Sequence, residues 1–270
     1  MKRRELEKVM EKHGRHIEKY SKHIPGSFGE EDIHELRVEY KKLRAFIRLV
    51  KLDKKAGRIK MPARLKSLYH AAGKVRDLHL FIQQLTDPSK NNTSTVPHYI
   101  KYLRHDLFEA KEQLVKEIER ADFDKFLKDI TDELPAELGD DTVKKFIHRK
   151  VATIQIILLA VETEKELHTI RKQLKDIIYD IKIFQNDWGI SFPVIAWKSE
   201  KLLNDMTTKL GNFNDLCATL GFLKPFTHHE IPPEEREYIE TKRQEIQQQL
   251  EQEKHVLLEQ VQHLHLNSNF

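Results

Sequence analysis

The sequence predicts an all-α fold of two pseudo-symmetric four-helix bundles arising from an internal duplication. Three observations predict it. Long segments repeat apolar residues every three or four positions, and no alternating strand pattern exceeds a few residues. Breakers are scarce, with nine Gly and nine Pro in 270 residues, so the elements are long. Two blocks also recur in the same order. HELRVEYKKLRAFIR (34–48) aligns with HTIRKQLKDIIYDIK (168–182), and AAGKVRDL (71–78) aligns with KLGNFNDL (209–216).

Each element follows from its own pattern. Residues 3–22 set Leu6, Val9, Met10, Ile17 and Tyr20 at helical spacing, and Pro25-Gly26 should stop that helix. Helices are expected over 30–51, over 61–85 (ended by Pro88) and over 95–119, with PSKNNTST as a polar turn. Residues 121–139 are acidic and carry Pro135 and Gly139, which reads as a linker with one short helix. Four more helices follow at about 140–161, 164–186, 194–220 and 233–266. The expected units are therefore 1–120, the linker 121–139, and 140–270.

Composition narrows the function classes. Hydrophobic residues at 39% suffice for a core, and 33% charged residues suit long surface helices. MKRRELEK carries no apolar h-region, so no secretion signal is expected. The longest apolar run, VATIQIILLAV at 151–161, is shorter than the roughly 20 residues a bilayer requires. Cys217 is the sole cysteine, which excludes an internal disulfide and fits a reducing, cytoplasmic setting. The overlapping N-x-[ST] sites at Asn91 and Asn92 carry little weight without export. The net charge of +4 hides an asymmetry. Residues 34–76 hold fourteen Lys/Arg against three acids, a balance of +11, which leaves −7 for the rest. Such a local excess points to an anionic partner.

The excess is organised. At about 100° per residue, His34, Arg37, Lys41, Arg44 and Arg48 fall within an arc of roughly 80°. Leu36, Tyr40, Leu43 and Ile47 fall outside that arc. The second block repeats the pattern, with His168, Arg171, Lys175 and Lys182 against Ile170, Leu174, Ile177 and Ile181. Ile178 breaks the second row where the first has Arg44. A solvated helix face is the simpler account of one such row. Ordinary solvated faces mix signs, however, because like charges at i,i+4 destabilise a helix. Two rows of one sign favour a shared anion. Arg forks and Lys ammoniums both suit phosphate oxygens, and a row about 20 Å long suits an extended polyanion. No Gly-rich phosphate loop is present, and the rows lack aromatics for stacking bases.

The pattern H-x-x-R-x-x-x-K-x-x-R followed by G-x-x-[RN]-D-L, present twice in a helical chain, resembles the CHAD family (conserved histidine α-helical domain). The first copy follows the pattern fully, and the second has Ile178 and Asn214 where the first has Arg44 and Arg76. The resemblance covers nearly the whole chain. It implies a non-catalytic module that binds inorganic polyphosphate on a basic surface between two bundles. It further implies phosphate contacts from His34, Arg37, Lys41, Arg44, Arg48 and Arg76 in one half and from His168, Arg171, Lys175 and Lys182 in the other. A separate polyphosphate-metabolising enzyme and polyphosphate granules become the expected associations. The rival readings are a nucleic-acid or acidic-protein scaffold and, behind it, a metal-dependent phosphohydrolase.

Other cations are candidates by position only. Lys42 borders the first row, Lys74 neighbours the G-x-x-R-D element, and Lys172 adjoins the second row. Lys101, Arg104, Lys111 and His148 complete this set, for which an ordinary surface cation is the simpler reading. Asp77 and Asp215 read as carboxylates that hold an arginine. No cofactor or metal is expected: HExxH, CxxC and a nucleophile elbow are absent, and His228-His229 and His263/His265 lack ligand spacing. Cys217, in NDLCATLGFL, reads as a buried thiol.

Overall fold

The computed structural model describes residues 1–87, 96–188, 200–223 and 231–262. Within them the chain is helical, and a single bridge between Lys2 and Glu137 is the sole β-type pairing. The helices are α1 (Arg3–Ser27), α2 (Glu30–Val50), α3 (Ala63–Thr86), α4 (Pro97–Glu119) and α5 (Phe123–Asp132). They continue with α6 (Asp140–Leu158), α7 (Glu164–Trp188), α8 (Glu200–Phe222) and α9 (Pro233–Gln262). The PSKNNTST turn, Asn91, Asn92, the expected start of the eighth helix near 194, His228-His229 and His263/His265 lie outside the described residues. Among the described residues no helix is long and apolar enough to cross a membrane.

One expected boundary is corrected. The first helix passes through Pro25 and ends at Ser27, not before Pro25. In the last turn a proline forfeits only one backbone donor. The stop is Phe28 instead, at φ 49° in the left-handed region, with its N–H bonded to the Ile24 carbonyl at 2.7 Å.

Packing follows chain order in both halves. α1 packs on α2, α2 on α3 and α3 on α4, while α6 packs on α7, α7 on α8 and α8 on α9. The short α5 leans on α1. Across the halves, α2 packs against α7 and α3 against α8. Burial of one side per helix drives this. Leu36, Tyr40, Leu43 and Ile47 are at most 4% exposed, and Ile170, Leu174, Ile177 and Ile181 at most 6%. The ends are tied as well. Pro97 opens α4 and leaves the N–H groups of His98 and Tyr99 without helical partners. Glu235 of α9 accepts both, at 3.2 and 3.0 Å, so a carboxylate from another helix caps α4.

Candidate functional site

The seam between α2 and α7 brings the two cationic rows within reach of each other. Lys41 stands in the middle. Burial first, then Arg37, Arg171, Arg76 and Lys175, push its ammonium down to about 7. Two of those cations belong to each half. Lys172 is depressed by burial and then by Arg44 and Arg48, and Lys175 by burial and then by Arg171 and Lys182. Cations held this close oppose folding.

The arginines are held from below. Arg37 lies 4.7 Å from the Tyr69 ring centre and donates to the Tyr69 carbonyl at 3.2 Å. Arg44 lies 5.9 Å from the same ring, which stacks on Tyr40 at 4.3 Å. The buried Nε atoms of Arg37, Arg44 and Arg171 have no hydrogen-bond partner among the described residues. A buried donor left unpaired costs about 1–3 kcal/mol.

Each aligned glycine seats the arginine of its own half. A Cβ at Gly73 would collide with the Arg37 guanidinium, whereas one at Gly211 would stand 3.5 Å from Arg171, an ordinary contact. Gly73→Ala is therefore expected to dislodge Arg37 and weaken anion binding about tenfold, the worth of one modest charge-assisted hydrogen bond. Gly211→Ala should leave binding unchanged and gain up to about 1 kcal/mol in helix propensity. Paired titrations and melts of the two variants check this asymmetry.

The two histidines are held differently. Arg76 donates to His34 Nδ1. With that nitrogen bare, Nε2 carries the hydrogen and can donate outward. In the other half Asn214 stands near His168, whose buried Nδ1 has no hydrogen-bond partner among the described residues. Both imidazoles sit below the usual histidine range, chiefly from burial, with Arg76 the next cause for His34 and Lys172 for His168. Burial raises the Asp77 carboxyl, and Arg37 and Arg76 pull it back. Asp215 likewise acts on Arg76. The two aspartates thus act on the arginines through space, with no direct ion pair to them among the described residues. A recess of about 250 Å³, lined by His34, Arg76, His79 and Glu30 among others, opens beside the first histidine.

Some candidates are placed differently. Arg48 donates to Asp176 of α7 at 2.6 Å, so it ties the halves together and is already partly neutralised. Lys42 bonds Glu39 at 2.6 Å on the side facing α1. Lys74, Lys101, Arg104, His148 and Lys182 are exposed. Of these, Arg104 and Lys101 sit on α4, which packs on α3 and α1, while Lys182 still acts on Lys175. Lys111 covers the Phe28 ring at 4.9 Å. Cys217 is half-buried, with its thiol 3.6 Å from Glu164. Burial and that carboxylate push it up to about 12, far from a thiolate nucleophile. Sequence reasoning missed Lys150, which shares Asp176 with Arg48 at 2.6 Å, and the Tyr69 floor. Neither carries a spacing signal, because both act across helices.

Comparison with known proteins comes to the same fold. Residues 9–224 match the family model described as CHAD domain. Among solved structures, the chain is similar to the crystal structure of the CHAD domain from the plant Ricinus communis. The TM-score is 0.58 at 13% sequence identity, covering 98% of this chain and 88% of that one. No curated protein matches the sequence.

Proposed function

The chain belongs to the CHAD domain family, and we propose that it is a non-catalytic module that binds inorganic polyphosphate in a groove between the α2 and α7 rows. One observation carries the reading: Lys41 is desolvated among Arg37, Arg76, Arg171 and Lys175, drawn from both halves. A polyanion lying along the seam would offset that repulsion and accept hydrogen bonds from the outward donors of these cations. Tyr69 lies beneath Arg37 and Arg44, which favours charge and shape recognition over base stacking. In this reading residues 1–120 and 140–270 are two halves of one seat, and Lys42 and Arg48 serve the scaffold more than the ligand. A polyphosphate-metabolising enzyme is the proposed partner, and the polymer's granules the proposed location. The test is competition. Long-chain polyphosphate should displace single-stranded RNA from the protein, and RNA should fail to displace polyphosphate. Orthophosphate should not be released with Mg²⁺ or Mn²⁺. The opposite order of displacement, or steady phosphate release, overturns the reading.

The reading also fixes a pH dependence. A bound polyanion favours the protonated forms of Lys41, His34 and His168, so binding takes up protons. Affinity should rise as pH falls through about 7, where Lys41 titrates, and keep rising into the lowered histidine range. The free protein should do the reverse. The folded Lys41 holds its proton less tightly than the unfolded lysine, so stability grows as pH rises from about 7 toward the ordinary lysine value near 10.4. Lys41→Met should flatten the binding profile between pH 6 and 9, as titrations at four pH values would reveal. An equal slope in wild type and variant contradicts this role.

A further inference from the structure

A second cluster sits on the opposite side of α2 from the cationic row. At about 100° per residue, Glu39 lies roughly 180° from the middle of the His34–Arg48 row and faces α1. There His13 and His16, one turn apart, aim Nδ1 at the same carboxylate oxygen, Glu39 Oε2, at 2.6 and 3.2 Å. The three ligand atoms lie within 4.8 Å of one another. Lys42 holds the other oxygen, Oε1, at 2.6 Å. His13 and Glu39 are each 3% exposed, while the His16 side chain, 45% exposed, leaves a way in from solvent.

We propose that His13, His16 and Glu39 form a binding site for a divalent transition-metal ion of the zinc type, with a fourth position open on the His16 side. Two imidazole nitrogens and one carboxylate oxygen are a donor set that zinc accepts, and three protein ligands leave a position for water. Bonds of about 2.0–2.1 Å in a tetrahedron place ligand atoms about 3.3 Å apart. His16 and Glu39 already stand 3.2 Å apart. The 2.6 Å between His13 and Glu39 needs a further opening of about 0.7 Å to meet that tetrahedral spacing, which a small carboxylate rotation supplies. An ordinary ion pair needs one donor on that oxygen, and here two imidazoles from one helix converge on it. The Lys42 ammonium works against the ion, since it competes for the Glu39 charge. Its side chain is 27% exposed, so it can turn toward solvent when the ion enters. The site lies away from the α2–α7 seam and stands independently of the polyphosphate reading.

The test is a titration of tag-free, metal-stripped full chain with Co²⁺ and then Zn²⁺. One Co²⁺ per chain should bind, with visible d–d absorption that Zn²⁺ abolishes. His16→Ala alters a half-exposed ligand, and its metal-free melt should match wild type. It should weaken Zn²⁺ binding at least about 100-fold, above the loss typical of outer-shell partners. Lys42→Met should strengthen binding several-fold. His105→Ala, which disrupts the exposed His105/Asp106/Glu109 group, should leave the stoichiometry unchanged. Absent colour, or equal Zn²⁺ affinity in wild type and His16→Ala, overturns the proposal and leaves the cluster as an ion pair for a buried glutamate.

Discussion

Arg37→Glu is expected to weaken binding of long-chain polyphosphate at least about 100-fold, because a charge-assisted contact worth about 1.5–3 kcal/mol is replaced by repulsion. Lys175→Glu should do the same from the other row. Both residues act on Lys41, so each reversal also places a carboxylate beside that ammonium and offsets part of the charge the ligand would meet. The free Lys175→Glu variant should therefore be at least as stable as wild type. Loss of binding with retained or raised melting temperature separates removal of the ligand's seat from damage to the fold. Binding should also be steep in salt: with about six phosphates neutralised, affinity falls roughly 300- to 1,000-fold between about 50 and 200 mM salt.

Asp176→Ala should have the largest effect on stability. Asp176 is 2% exposed and takes both Arg48 and Lys150 at 2.6 Å. Its loss leaves Lys150, whose side chain is 13% exposed, with Gln173 at 2.7 Å as its remaining hydrogen-bond partner. Arg48, at 44% exposed, rehydrates and contributes little to the penalty. The expected cost is about 2–3 kcal/mol, below the full range for a wholly buried pair. That corresponds to a fall of about 5–10 °C in melting temperature for a chain of this size. Polyphosphate should restore more of the loss than it adds to wild type, since the variant carries one more uncompensated cation beside the seam. Equal thermal shifts in the two proteins would show that Asp176 only supports the fold.

Much of this architecture was legible in the sequence because helices announce themselves locally. The 3.6-residue period placed Leu36, Tyr40, Leu43 and Ile47 inside and the cations outside, and the structure buries all four. The aligned G-x-x-[RN]-D-L blocks flagged Gly73 and Gly211, and both prove to be seats for arginines. What stayed hidden depends on contacts between helices. Arg48 and Asp176 are 128 residues apart, so no spacing rule joins them, and Arg48 read as one more free cation. Lys42 borders the row on a helical wheel, yet Glu39 draws it toward α1. The cluster of His13, His16 and Glu39 has no spacing signal, because Glu39 comes from the next helix. Pro25 misled for another reason: a breaker in the last turn removes little, and the left-handed Phe28 sets the true end.

Calorimetric titration with polyphosphate of graded, defined length tests most directly whether the α2 and α7 rows form one seat. One long chain should bind per protein, affinity should climb sharply once the polymer is long enough to touch both rows, and Arg37→Glu or Lys175→Glu alone should abolish that gain. Two chains bound per protein, each lost only when its own row is reversed, would contradict the account.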